Sequence, residues 1–466
     1  MTDGPAGGRY PLMGASPARR RSRGGPGAFL VLGVIAVVPA IALLVLQRWA
    51  GDQIPADDAA PLPSTTIVAP PPPADPLANE FATLRRLPEP VSLGLNIDRF
   101  RTEVAGLAVE LNDRSCLAVS VDGVDAGGHN RDLPVLPASN IKLVVAAVAL
   151  DLLGAEYRFT TEVVAEAAAV DGVVDGDLAL VGGGDPLLSA AWYPTSGLER
   201  RPVINATPLE GLADAVVAAG ITEVTGDVVG DGSRYDDEFF APGWGPGVAG
   251  LSAGPYDALL VNDARVLGED QRAADPNAGA AREFARLLAE RGVAVAGSSV
   301  AGTAPSGGVA VASVDSATLT DVIEEMLTTS DNNTAELMVK EIGLEGRGAG
   351  TRVDGLAVIE ERLARWDIDT AGLVLGDGSG LSLDSRLTCD ALLGVLQRDG
   401  ATGPIGAGLP VAGENGTLAE FFLGDELAGR LLGKSHGVNA FEIRLEQAHA
   451  APAVAVQLRQ RLAGEE

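Results

Sequence analysis

Ser139 and Lys142 stand three positions apart in Pro137-Ala138-Ser139-Asn140-Ile141-Lys142. On a helix that spacing puts both side chains on one face, one turn apart. A serine hydroxyl is a poor nucleophile until a base takes its proton. Lysine can be that base only when its pKa falls from about 10.4 toward 7, a change worth about 4 kcal/mol. Burial and a nearby second cation both act in that direction. Of 34 basic residues only Lys142, Lys340 and Lys434 are lysine; the others are arginine. Arginine keeps its proton in proteins, so each lysine marks a place where a neutral amine or a compact ammonium is useful.

Two further groups extend this set. Ser330-Asp331-Asn332 reads locally as a helix cap, which all three residue types favour. Following a Ser-x-x-Lys, it reads as a proton relay. Ser330 would pass a proton to a leaving amine, and Asn332 would bond the substrate backbone or steady Lys142. Lys434-Ser435 is expected on an edge strand lining a cleft, where the ammonium attracts a substrate carboxylate and the hydroxyl fixes it. Lys340, eight residues after Asn332, is assigned to structure on a helix surface.

The elements that must position these groups are legible in outline. Pro137 opens a helix, a position that proline tolerates. From Ile141 to Leu153 that helix is apolar on nearly every face, which predicts burial. Glu80–Arg86 reads as a short helix and Leu117–Val121 as a strand. Between about 160 and 310 short valine-rich strands alternate with glycine turns. Asp171–Asp177 and Gly226–Gly232 resemble each other there without amounting to a repeat. Helices are expected at Pro208–Ala219 and Pro276–Arg291, and again on both sides of Ser330. From about Leu431 the reading is strand, with Phe441–Glu446 as one strand and Pro452–Leu462 as strand or helix.

Bulk composition narrows the classes. The net charge is −29, which argues against nucleic acid and against anionic lipid surfaces as partners. Three widely spaced histidines and two cysteines supply no zinc cluster, so no metal or other cofactor is expected. Cys116 reads as a small buried hydrophobe; pairing with Cys389 is left open. Residues 28–46 form a 19-residue uncharged apolar run preceded by Arg19, Arg20, Arg21 and Arg23. That is a membrane-spanning length, and the basic cluster predicts a cytoplasmic N-terminus. An uncleaved anchor is expected, with a cleaved signal peptide as the rival reading. The expected organisation is a basic cytoplasmic tail (1–27), a transmembrane anchor (28–46), a proline-rich linker (47–78), a catalytic domain (79–160 and 310–466) and a β-rich inserted domain (161–309). The catalytic body would then lie outside the cytoplasmic membrane, on the cell-wall side.

The ordered set Ser-x-x-Lys, Ser-Asp-Asn and Lys-Ser resembles the D-alanyl-D-alanine carboxypeptidase/endopeptidase family of low-molecular-mass (class C) penicillin-binding proteins. Gly182-Gly183-Gly184-Asp185-Pro186, Phe240-Ala241-Pro242-Gly243-Trp244, Val261-Asn262-Asp263, Ser330–Glu336 and Asp377-Gly378-Ser379-Gly380-Leu381-Ser382 carry the same resemblance. It implies an α/β fold: a transpeptidase/β-lactamase-like domain, with an antiparallel sheet between helices, interrupted by an inserted domain. It implies an acyl-enzyme on Ser139, peptidoglycan peptides ending in D-Ala-D-Ala as substrates, endopeptidase action on crosslinks as an extension, and acylation by β-lactams. His436 stands where the family pattern has glycine, and Gly437-Val438 follows at once. The hairpin there is shorter by about three residues than the family pattern. The second reading is therefore a peptidoglycan-binding relative with weakened turnover. A serine β-lactamase is disfavoured by the insertion and the anchor.

Overall fold

The computed structural model describes residues 89–459 apart from 122, 200–202, 246, 400–402, 421–430, 433–439 and 448–449. The basic tail, the apolar run, the linker and the helix expected at Glu80–Arg86 lie outside the described residues. So do Lys434, Ser435 and His436. Among the described residues no helix is long and apolar enough to cross a membrane.

The strand Ser115–Val121 is buried at all seven positions, which requires cover on both faces. Leu117, Val119 and Val121 pack with Ile97 and Val104 of a helix over Glu89–Glu110, α1. Cys116 and Ala118, of opposite parity, enter the main core. The strand belongs to a five-stranded sheet ordered Leu431–Leu432, Ala440–Gln447, Ala450–Arg459, Ser115–Val121, Val124–His129, antiparallel at every pairing. The expected sheet between helices is present, and the stretch beginning at Pro452 is strand as far as Arg459. Helix α1 was not expected, because Pro90, Gly94 and Gly106 interrupt its apolar period.

The helix Ile141–Leu153, α2, is buried from Ile141 through Ala149. Valine and leucine fill its surroundings, and three alanines let neighbours approach. Its stability comes from that packing more than from propensity, since β-branched residues are modest helix formers.

Residues 160–315 hold a second core. Thr160–Ala165 and Val309–Asp315 pair antiparallel, with Thr160 opposite Asp315, so the chain leaves and returns at one place. The two similar glycine-turn segments are parallel neighbours. Val173–Val174 lies beside Glu223–Val224, and Leu178–Val181 beside Val228–Asp231. Ala294–Val295 and Ser299–Ala301 add a third copy on the far side. Helices Leu209–Ala218 (α3) and Pro276–Glu290 (α4) lead into the second and third copies. The structure thus contains a repeat where the sequence showed only likeness. Carboxylates stitch it: Asp177 accepts from the Asp227 N–H and Asp227 from the Ser298 N–H, both at 2.7 Å.

Four later helices close around α2: Leu319–Thr329 (α5), Asn332–Arg347 (α6), Arg352–Arg365 (α7) and Cys389–Asp399 (α8). Cys389, the first residue of α8, is disulfide-bonded to Cys116 of the strand Ser115–Val121. Cys116 is therefore half of a crosslink and not merely a small hydrophobe. Lys340 is also corrected: it is fully buried on α6. Its ammonium donates to the carbonyls of Asp236 and Glu238 at 2.8 and 2.9 Å and pairs with the Asp236 carboxylate. It clasps a loop about a hundred positions away, a partner that local sequence cannot reveal.

Candidate active site

Pro137 leads into a tight 3-10 turn, Ala138–Asn140, which runs directly into α2. Ala138 has φ +48°, a left-handed state rare for a residue with a Cβ and one that concentrates at functional sites. The turn places Ser139 one helical turn before Lys142, as the spacing predicted.

Lys142 is fully buried. Its Nζ donates to Ser139 Oγ at 3.2 Å, Asn332 Oδ1 at 2.7 Å and the Ser379 carbonyl at 2.6 Å. These use all three N–H groups of an ammonium. A neutral amine would keep two of the bonds and turn its lone pair toward Ser139. Burial pushes the Lys142 pKa down to about 8, while the negative charges of Asp331, Asp377 and Glu336 act against that fall. Among the described residues the charges that act on Lys142 are these carboxylates. Lys434, the expected second cation, lies outside the described residues.

The Ser330-Asp331-Asn332 segment joins α5 to α6. Ser330 ends α5 in a left-handed conformation, φ +61°. Asp331 is the N-cap of α6 and accepts from the Thr334 N–H at 2.7 Å, so the capping reading holds for this residue. Asn332 points its Oδ1 at Lys142 and donates its Nδ2 to the Ser252 carbonyl at 2.9 Å. Ser330 is adjacent in sequence to this set, but no hydrogen bond from its side chain to Ser139 or Lys142 is seen among the described residues.

A supporting layer comes from stretches that the sequence marked only by their resemblance to the family, with no role assigned to them. Glu336, one turn beyond Asn332 on α6, accepts from the N–H groups of Gly378 and Ser379. Burial and the neighbouring Asp377 charge push its pKa up to about 7. Asp377, fully buried, accepts from Trp244 Nε1, Ser379 Oγ and the N–H groups of Gly380 and Ser382. Gly380 has φ +84°, and a Cβ there would collide with the Ala138 carbonyl. The Asp377–Ser382 turn therefore lies directly on the backbone that presents Ser139. Asn333 donates to Asp263 and accepts from the Gly254 N–H, both at 2.7 Å. The stretches around Trp244, Asp263 and Asp377 thus converge on the Lys142 site. Their signal was the turn chemistry of Asp-Gly-Ser-Gly and the four-residue step from Asn332 to Glu336.

The arrangement has the parts for nucleophilic acyl transfer: a hydroxyl, a buried amine within reach of it, and an amide that orients the amine. Comparison with known proteins agrees in kind. The family model described as the D-Ala-D-Ala carboxypeptidase 3 (S13) family matches residues 113–266 and 256–440. A D-alanyl-D-alanine carboxypeptidase of Actinomadura sp. (strain R39) is 31% identical, with 64% of this chain and 66% of the relative covered. Carboxypeptidase DacB of Mycolicibacterium smegmatis is 32% identical, with 66% of each chain covered. The chain spans just under two thirds of the length of these relatives. The crystal structure of penicillin binding protein 4 (dacB) from Haemophilus influenzae has the same fold. Its TM-score is 0.63 at 18% identity, covering 78% of this chain and 95% of that one.

Proposed function

The chain belongs to the D-Ala-D-Ala carboxypeptidase 3 (S13) family, and on that premise we propose that it is a serine-type D-Ala-D-Ala carboxypeptidase acting on peptidoglycan stem peptides. The observation that carries this reading is the buried Lys142 amine, 3.2 Å from Ser139 Oγ, with its pKa lowered to about 8. At pH 7 about one tenth of such an amine is neutral, enough for a base whose reaction consumes that form.

In the proposed reaction Lys142 takes the Ser139 proton as Oγ bonds to the carbonyl carbon of the penultimate D-Ala. The C–N bond breaks, and the proton reaches the departing D-Ala amine through Lys142 or Ser330. Water then hydrolyses the Ser139 ester. Asn332 keeps Lys142 aimed at Ser139. Lys434 and Ser435, outside the described residues, are proposed to receive the terminal carboxylate. β-Lactams would acylate the same serine. The relative from Haemophilus influenzae has been solved in complex with a β-lactam.

The test is mass spectrometry of the intact protein after incubation with a fluorescent penicillin, followed by peptide mapping. One adduct on Ser139, absent in Ser139→Ala, is expected. An adduct on another serine, or none at all, overturns the assignment.

The proposed location is the outer side of the cytoplasmic membrane, with residues 28–46 as an uncleaved anchor. The Cys116–Cys389 disulfide supports export, because such bonds persist in oxidising compartments. N-terminal sequencing of the native protein tests the anchor: a mature chain beginning after Leu46 would make the segment a signal peptide.

A further inference from the structure

Lys142 is held from two sides, and only one of them is the Asn332 amide. The other is the Ser379 carbonyl, its shortest contact at 2.6 Å. A backbone carbonyl can aim a lysine only if its own peptide is fixed. The Ser379 peptide sits in a turn rich in glycine, Asp377-Gly378-Ser379-Gly380, which has little intrinsic rigidity. Glu336 supplies the fixation. Its Oε1 accepts from the Ser379 N–H at 2.8 Å, and both carboxylate oxygens accept from the Gly378 N–H at 3.1 and 3.2 Å. Glu336 is 1% exposed and lies one turn from Asn332 on the same face of α6. One helix thus delivers both restraints on Lys142, Asn332 directly and Glu336 through the Ser379 peptide.

We infer that Glu336 is a positioning residue for the acyl transfer, anchoring the Gly378-Ser379 backbone so that the Ser379 carbonyl aims Lys142 at Ser139. The inference rests on the proposed roles of Ser139 and Lys142. It has an electrostatic side as well. The described charged groups acting on Lys142 are Asp331 and Glu336 from α6 and its cap, and Asp377 from the turn; each favours the ammonium. Glu336 is itself mostly ionised at the pH where Lys142 titrates, since its own pKa lies at about 7. Removing its charge therefore makes Lys142 easier to deprotonate, whereas withdrawing its anchor makes Lys142 badly aimed. Two variants separate these effects. Glu336→Gln keeps one oxygen for the Ser379 N–H and loses the charge. Glu336→Asp keeps the charge and withdraws the oxygens by a methylene.

The experiment uses the full chain labelled with [ε-13C]lysine. With only three lysines, the Lys142 resonance is assigned by its loss in Lys142→Arg. Its titration is followed by NMR alongside the rate of acylation by a fluorescent penicillin. For Glu336→Gln the Lys142 midpoint should move to lower pH, and the acid limb of the acylation profile should move with it. For Glu336→Asp the midpoint should stay within a few tenths of a pH unit while acylation slows at least tenfold, since a displacement near 1 Å can slow a reaction by about 100-fold. An unmoved midpoint in Glu336→Gln together with near wild-type acylation by Glu336→Asp overturns the inference. If Glu336→Gln does not melt cooperatively, Glu336→Asp decides alone by its rate. If wild-type protein takes no adduct on Ser139, the catalytic reading fails, and the NMR titration still decides whether Glu336 governs Lys142.

Discussion

Asn332 accepts a 2.7 Å hydrogen bond from Lys142 across 190 positions of sequence. Its two amide ends have opposite duties: Oδ1 faces the ammonium, and Nδ2 faces the Ser252 carbonyl. A carboxylate at 332 could not donate to Ser252, and a flipped amide would set N–H against N–H. The orientation is thus fixed by its partners, and one side chain ties α2, α6 and the loop before Pro255 to the same amine.

The first prediction follows from the state of that amine. If neutral Lys142 is the base and its pKa is about 8, acylation by a penicillin should rise about tenfold per pH unit up to that value and level off above it. Lys142→Arg should reduce acylation to background, because arginine holds its proton. Stopped-flow measurement between about pH 6 and 9, spanning that pKa, checks both. A flat wild-type profile would rule out a titrating lysine base.

The second concerns the turn beneath Ser139. Gly380 combines φ +84° with a position where any added Cβ would run into the Ala138 carbonyl and come within 2.9 Å of the Ser139 nitrogen. Gly380→Ala must move the turn or the nucleophile. Acylation is expected to fall by about 100-fold or more, with a stability loss of only about 1–3 kcal/mol. Labelling rates and urea unfolding measured together make the comparison. Equal labelling of variant and wild type would show that the contact does not position Ser139.

What was legible in the sequence and what was not divides along one physical line. Ser139 and Lys142 were readable because a three-residue step on an apolar helix fixes their relation locally. The antiparallel sheet was readable only as a class, because the last strand pairs beside the first, Val121 opposite Ala453, a partnership no local window contains. Lys340 looked like a surface residue because its carbonyl partners belong to a loop far away in sequence. Glu336 stood in a stretch that resembled the family, but its role was not legible, since a glutamate on a helix is ordinary until the Gly378 and Ser379 amides are seen facing it. The repeat in residues 160–315 was visible as likeness, and its parallel register had to be seen in space.

The third prediction tests the crosslink. Cys116 and Cys389 are 273 positions apart, so the bond closes a very long loop in the unfolded chain. Loop-entropy arguments assign such a bond up to about 5 kcal/mol, and measured losses run about 2–5 kcal/mol. Cys116→Ala/Cys389→Ala should lower stability to urea by that amount. Lys142 Nζ is held by Ser139, Asn332 and the Ser379 carbonyl, so acylation of the folded variant should stay within a few-fold of wild type. Undiminished stability would show that the core, without the bridge, holds the strand Ser115–Val121 to α8.

The last prediction concerns Asp185 in Gly182-Gly183-Gly184-Asp185-Pro186. Its side chain is 2% exposed, and Oδ1 accepts from the Leu187 N–H at 2.8 Å. Burial raises its pKa to about 6, with the Leu187 N–H opposing the rise, and its Oδ2 has no hydrogen-bond partner among the described residues. In the unfolded chain the value is about 3.9. The folded state therefore binds this proton more tightly than the unfolded state. The stability it confers is fully present below about pH 4 and is lost as the pH rises through about 6. A pKa difference of that size between the two states corresponds to about 3 kcal/mol. Asp185→Asn keeps the acceptor for Leu187 and cannot ionise, so it lacks this pH dependence. Relative to wild type, the asparagine variant should gain about 2–3 kcal/mol between about pH 4 and pH 7, read from urea unfolding of both proteins across that range. A constant difference between the two would mean that Asp185 titrates in the folded protein as it does in the unfolded chain.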